Sequence, residues 1–229
     1  MKRNYYKIIF VLLIFLSLFI LTGCKDDSEE LLNEKIDSEF EYIENIIFRI
    51  VKKYMSNEYL VEDRIDWNKI KEDFEDINKS SSVIMIDLLS KNFEKDDILR
   101  FEELLNTINI RIEEENDINF LTSLSEFYSL LPNYQYKYFE YNSEISIRLI
   151  KNLNLYSIIS CMNGDFENAI KLLEQAESEY LNLLKDTEYL KENAYYVNRL
   201  YVVLQEFKIS VNENNLNLAI VKYLNTLGI

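Results

Sequence analysis

Glycine and proline are nearly absent from this chain: 229 residues hold three Gly and one Pro. Gly23 and Gly228 lie near the ends, so Gly164 alone serves the interior, and Pro132 is the single proline. Tight β-hairpins and nucleotide-cradling loops draw on Gly for backbone at positive φ. A β-sandwich or a dinucleotide-binding α/β domain is therefore hard to build from this sequence. Helices joined by Asn, Asp and Ser turns are easy.

Apolar residues recur at alternating spacings of three and four over most of the chain beyond Cys24, which is the period of an amphipathic helix. The first stripe carries Ile36, Phe40, Ile43, Ile47, Ile50 and Tyr54, behind an acidic start that suits the positive end of a helix dipole. A second carries Trp67, Ile70, Phe74, Ile77, Ile84 and Leu88, interrupted at Ser81. A third runs from Ile98 to Ile112, with Asp96 or Asp97 as its expected N-cap, and a shorter fourth from Phe120 to Leu131. Pro132 either starts a fifth helix or kinks a longer one, along which Tyr138, Tyr141, Ile145, Leu149, Leu153 and Tyr156 continue the stripe. Three more stripes follow, the last beginning at Leu216. The pattern predicts an all-α fold, an antiparallel helical bundle of seven or eight amphipathic helices with an αα-hairpin-like C-terminal half. The body spans 24–229. A sub-boundary near residue 132 and one continuous domain are both compatible with the pattern.

Charge narrows the partners. Forty acidic residues oppose 25 basic ones, for a formal net charge of −15. Such a surface repels phosphate backbones, so no nucleic-acid partner is expected. Histidine is absent, which removes the commonest general base and transition-metal ligand. No Walker loop, serine-hydrolase elbow, Cys-x-x-Cys pair or EF-hand spacing occurs. No metal, no cofactor and no catalytic residue are predicted. The run Glu113-Glu114-Glu115 reads as a solvated helix end, because adjacent helical residues point apart. A glycosidase needs only two carboxylates, so that class stays open, although nothing in the sequence selects a pair.

The N-terminus is a different kind of segment. Lys2, Arg3 and Lys7 stand without an acid, followed by an aliphatic and aromatic run from Ile8 to Leu21 broken only by Ser17. That run has the length of a signal-peptide core and is short for a membrane span. Leu21-Thr22-Gly23-Cys24 follows directly. Together these residues resemble the signal peptide and lipobox of bacterial lipoproteins. The resemblance implies cleavage between Gly23 and Cys24, removal of residues 1–23, and a diacylglycerol on the Cys24 sulfur. Two acyl chains, of palmitate type, anchor stably where one binds only marginally. The protein would then sit lipid-anchored on the extracytoplasmic face of the cell membrane. Loss of three positive charges with the peptide takes the net charge from −15 to −18. An uncleaved signal anchor and an ordinary secretory peptide are the competing readings. With Cys24 lipidated, Cys161 has no disulfide partner and reads as an inert buried thiol.

Residues 153–180 read as helix, turn and helix about Asn163-Gly164-Asp165. The stretch from Gly164 to Ala176, with Ala169 and Ala176 seven apart, is similar to the turn and second helix of a tetratricopeptide repeat. Ser157 and Ser160 depart from that pattern, and no second copy follows at the repeat's period. An ordinary αα-hairpin is the alternative. If the hairpin is repeat-like, the resemblance implies peptide or protein binding, with a groove within residues 145–211. Tyr156, Phe166, Tyr195 and Tyr196 are the candidate contacts there. Elsewhere Tyr134, Tyr138 and Tyr141 share a helical face. That face is either a stacking surface for glycan or peptide, or a core edge whose hydroxyls reach outward.

The whole chain resembles the all-helical lipoproteins of low-GC Gram-positive bacteria. The expected function is a non-catalytic envelope interaction module with a protein or peptide partner. A small-ligand or glycan-binding lipoprotein and a carboxylate-dependent cell-wall hydrolase are the alternatives.

Overall fold

A computed structural model describes residues 26–56, 65–115, 117–140 and 142–228. The apolar run, Gly23, Cys24 and Tyr141 lie outside the described residues. Among the described residues the chain is all-helical, with eight helices: α1 (Asp26–Met55), α2 (Trp67–Ser90), α3 (Lys95–Glu113), α4 (Asp117–Tyr138), α5 (Ser143–Met162), α6 (Phe166–Leu183), α7 (Thr187–Asn212) and α8 (Leu216–Thr226).

These helices close into two rings. In the first, α1 packs on α2, α2 on α3, α3 on α4, and α4 returns to α1. In the second, α5, α6, α7 and α8 follow one another and α8 returns to α5. Contact between α4 and α5 joins the rings. Successive helices run antiparallel, as their cross-links show. Lys35 reaches Asp87 while Lys53 reaches Asp73; Ser146 bonds Glu179 while Ser157 bonds the Ala169 carbonyl. Short connections enforce this alternation.

The predicted stripes supply the core of the first ring. Ile36, Phe40, Ile43, Ile47 and Ile50 are fully buried, and Trp67 packs edge-on against Phe120 at 5.4 Å between ring centroids. Ser81 is buried in the α2 stripe, its hydroxyl donating to the Ile77 carbonyl at 2.6 Å. Helix α5 departs from its predicted stripe. Leu149, Leu153 and Tyr156 are half-buried, whereas Ile147, Ile150, Ile158 and Cys161 are buried with Asn152, Asn154 and Ser157. The cause is position: α5 touches α4, α6 and α8 and so buries more than one face. Burial pushes the Cys161 thiol up to about 12, which keeps it protonated and inert.

Pro132 lies inside α4 and does not end it; α4 runs on to Tyr138, and α5, the first helix of the second ring, starts at Ser143. The expected cap of α3 also moves. Glu94 occupies the N-cap position without a side-chain bond, and Asp96 and Asp97 fall in the first turn. Asp97 is diverted because it accepts from Tyr138 Oη at 2.5 Å and Lys137 Nζ at 2.9 Å.

With so little glycine, helix termination falls to other residues. After α5, the Gly164 N–H bonds the Cys161 carbonyl and the Asp165 N–H the Ser160 carbonyl, with Gly164 at φ +78. This is the paired bonding of a Schellman motif. Asn92 (φ 63) and Asn214 (φ 50) perform the same turn after α2 and α7. Nothing lies within 4 Å of a Cβ built on Gly164, so Gly164→Ala meets only the backbone penalty of positive φ. It is expected to cost about 1 kcal/mol in chemical denaturation. A neutral result would mean that the turn relaxes.

Candidate functional site

A cavity of ≈ 740 Å³ opens where the rings meet. Its walls come from four places in the chain: the start of α1, Lys91 after α2, the end of α4, and the start of α5. Helix α1 contributes Glu29, Glu30, Asn33, Glu34 and Asp37, which recur at helical spacing and so share a face. Helix α4 and the turn beyond it contribute Gln135, Lys137, Tyr138, Phe139 and Glu140. Apolar surface comes from Phe139, Tyr138 and Ile145, and Tyr138 is held by stacking on Phe93 at 3.7 Å between centroids.

Five carboxylates line this groove against two lysines, and the lysines are engaged. Lys91 pairs with Glu29 at 2.5 Å. Lys137 is drawn to Asp97 and Glu94, each at 2.9 Å, and the hydrogen bonds it donates to that pair and to Tyr138 hold its ammonium above the usual range. Burial pushes the Asp97 carboxyl up, but the bonds from Tyr138 and Lys137 outweigh it and leave Asp97 below its ordinary value. Glu30, Glu34 and Glu140 make no ion pair among the described residues.

Two side-chain oxygens in the groove lack hydrogen-bond partners. Gln135 is 3% exposed; its amide Nε2 donates to Asp37, which leaves Oε1 buried with no partner. Asn33 Oδ1 is in the same condition. A buried acceptor without a donor is costly. Both oxygens are closed off inside the wall of the groove, so they are a polar cost of this packing.

Asp37 also ties the groove to a buried ionic network beneath it. Arg148, 5% exposed, donates to Asp37 at 2.5 Å and approaches Glu44, also 5% exposed, at 3.4 Å. Glu44 further accepts from Lys151 at 2.7 Å and from Tyr128 Oη at 2.8 Å. Tyr128 is held far above its ordinary phenol range, by burial first and then by the Glu44 charge. Glu144 is also raised, by burial and then by neighbouring Asp37, with which it shares a hydrogen bond.

A second cavity of ≈ 730 Å³ flanks the other side of the turn, and Asn142 lines both. Its polar groups are occupied with one another: Ser146 donates to Glu179 at 2.7 Å, Ser143 to Asp186 at 2.6 Å, and Lys185 to Asn182 at 2.8 Å.

The four aromatic residues singled out from sequence are not gathered around either of these cavities. Tyr156 stands beside Ser129 and Ser125 of α4, and burial raises its phenol above the ordinary range. Phe166 and Tyr196 are partly buried against the core. Tyr196 stands near Glu44 and Glu144, and its phenol is pushed up to about 12 by burial and then by those charges. Tyr195 alone is well exposed, at 79%. Sequence reasoning passed over the groove, although one signal was present: Tyr128, Leu131, Gln135 and Tyr138 follow helical spacing, placing an amide at a core register.

Among the described residues no helix is long and apolar enough to cross a membrane, and no three His, Cys, Asp or Glu are grouped to hold a metal ion. Comparison with protein-family models, with curated proteins and with solved structures finds no match for this chain.

Proposed function

We propose that the protein is a lipid-anchored, extracytoplasmic binding module that captures a partner in the groove between α1, α4 and α5 without acting on it chemically. The observation that carries this reading is the groove itself, where Glu30, Glu34 and Glu140, which make no ion pair among the described residues, line one open volume beside Tyr138, Phe139 and Ile145. The order of the basic start, the apolar run and Leu21-Thr22-Gly23-Cys24 supports the anchor. Helix α1 begins at Asp26, two residues after Cys24. At 1.5 Å of rise per residue, Asn33 stands only about 10 Å further along the helix. Binding would take place close to the bilayer.

A hydrolase is the weaker alternative. Glu144, with its raised carboxyl, is the natural candidate acid, but its acidic neighbour Asp37 shares a hydrogen bond with it and also holds Arg148. Glycosidase carboxylates stand roughly 5–9 Å apart, with the sugar between them. The pair here leaves no such gap.

Two measurements test the reading. Intact mass of the membrane-extracted protein should show a chain beginning at Cys24 and carrying diacylglycerol. Cys24→Ser should retain residues 1–23 and take up no labelled palmitate. Crosslinking in the native envelope should capture a partner or ligand that Glu30→Lys with Glu34→Lys abolishes while the fold persists. An unlipidated Cys24 would remove the anchor; capture indifferent to the groove charges would remove the binding role.

A further inference from the structure

Resting on the lipid-anchor half of that reading, we infer that a band of exposed aliphatic side chains across α1, α2 and α3 seats the first ring on the lipid bilayer beside its own anchor. The band is Leu31, Val83, Ile86, Leu89 and Leu99, each between 43% and 66% exposed. The outward face of an amphipathic helix is ordinarily polar. A contiguous apolar patch rimmed by polar groups marks a protein or membrane contact.

Cross-links between the helices bring these residues together. The pairs Lys35–Asp87 and Glu29–Lys91 set the register of α1 on α2 and put Leu31 level with Ser90. Leu31 is one turn before Lys35, so it lies on the flank of α1 that faces α2. On α2, Val83, Ile86 and Leu89 recur every third residue along the outer face. Leu89 stands about three turns from Asn78, whose amide meets Asn109 on α3, and therefore lies toward α3. The same asparagine pair puts Leu99 level with Leu88. Arg100 beside it reaches Glu126 on α4, which leaves Leu99 on the α2 side.

The occupant follows from where the chain is tethered. Only Lys25 separates Cys24 from the start of α1, and Leu31 lies within about two turns of that start. Helix α2 ends and α3 begins at the same end of the ring. Among the described large aliphatic residues exposed on the first ring, only Ile110 lies at the opposite end. A tether makes the contact intramolecular, so a patch too weak to hold a free protein to lipid suffices. Lys35, Lys79 and Lys95 stand one turn from Leu31, Val83 and Leu99, and can carry their ammonium groups to headgroups while their stems lie along the band. Glu34 and Glu103 are equally near, so the contact rests on the aliphatic band and not on net charge. A second copy of the chain is disfavoured as occupant, because 40 acidic residues against 25 basic ones make like chains repel. The groove stays open in this pose. Asp37 meets Arg148 on the α5 flank of α1, away from the flank that carries Leu31 and Lys35.

The test uses the full chain, purified with its lipid from the expressing bacterium and reconstituted at low density in phosphatidylcholine vesicles that carry a nitroxide lipid. A fluorophore is attached through Ile86→Cys or, as the control, Ile110→Cys. Both positions are exposed, and Cys161 is buried and stays unlabelled. Quenching is expected to be roughly threefold or more stronger at 86 than at 110, because an interfacial face enters the headgroup boundary by about 5–10 Å. Adding Leu31→Asp and Leu89→Asp, both at exposed positions, should abolish that difference while the protein still floats with the vesicles. Equal quenching at the two positions in floating protein would overturn the seating and leave the anchor standing. Protein that fails to float would remove the anchor, and the inference with it. Disulfide-linked dimers through Ile86→Cys, formed as readily in detergent as in vesicles, would overturn the inference by giving the face to a second copy.

Discussion

Glu44→Ala is expected to remove about 3 kcal/mol of folding stability and to lower the thermal midpoint by roughly 6–12 °C while the chain stays helical at low temperature. Glu44 is the centre of the buried network: it receives Lys151, Tyr128 and Arg148, and it is 5% exposed. Without it, the Tyr128 hydroxyl loses its 2.8 Å acceptor and Arg148 retains only Asp37 as its carboxylate partner. Breaking a buried pair by deleting one partner typically costs about 3–5 kcal/mol, because the surviving charge stays buried. The lower end applies here because Asp37 still compensates Arg148. Glu44→Gln should cost less, since an amide oxygen can still accept from Tyr128. Tyr128→Phe should cost about 1.5–3 kcal/mol, the usual loss for a hydrogen bond to a charged group. Urea denaturation of the three variants checks the order Ala above Gln. If Ala and Gln are equal and both nearly neutral, the network does not hold the rings together.

The network also explains why the two rings act on the groove together. Arg148 and Lys151 lie on α5, while Asp37 and Glu44 lie on α1. Pairing at 37 with 148 and at 44 with 151 makes these two helices parallel, bridged by charge across the α4 edge. Asp37 belongs to both the network and the groove wall. Gln135, which donates to Asp37, is thereby one side chain away from the buried arginine. Weakening of the network should consequently loosen the groove as well as the fold.

Legibility in the sequence followed the number of faces each helix buries. In helix α1 the three-and-four spacing from Ile36 to Tyr54 named residues that are all buried, and it passed over Glu44, Ile46, Val51 and Met55 beside them. Helix α5 buries several faces, so no single stripe describes it. Spacing favoured Leu149 and Leu153, while the fold buries Ile150, Ile158 and Arg148. Pro132 left two readings open, a helix start or a place within a longer helix, and it lies within α4, which ends at Tyr138 with no Gly or Pro nearby to mark the end. The groove was hidden because its walls are contributed by residues more than a hundred positions apart, from Glu29 to Ile145. Helical periodicity reports which side of one helix faces inward, and it carries no information on which helix lies opposite. The polar residues at core registers, Glu44, Gln135 and Arg148, were visible signals of a buried network. Their partners became identifiable only once α1, α4 and α5 were brought together.

Asn154→Leu is expected to work in the opposite direction, raising stability by about 1–3 kcal/mol, or roughly 2–4 °C for each kcal/mol. Asn154 sits on α5 at 1% exposure, and neither its Oδ1 nor its Nδ2 has a hydrogen-bond partner among the described residues. Leu has the same branching and the same number of side-chain heavy atoms but is bulkier, so the gain from removing two buried polar atoms is set against tighter packing. Tyr223 on α8 repeats the situation: it is fully buried, its Oη has no partner, and burial alone pushes its phenol far above the ordinary range. Tyr223→Phe should therefore be neutral or mildly stabilising. Asn154→Asp supplies the control, since a carboxylate at that site would be buried without a counter-charge and should destabilise strongly. Differential scanning calorimetry of the three variants separates the outcomes. A stability loss in Asn154→Leu would mean that ordered water satisfies the amide in solution. The second ring would then depend on a buried polar centre, as the junction with the first ring does at Glu44.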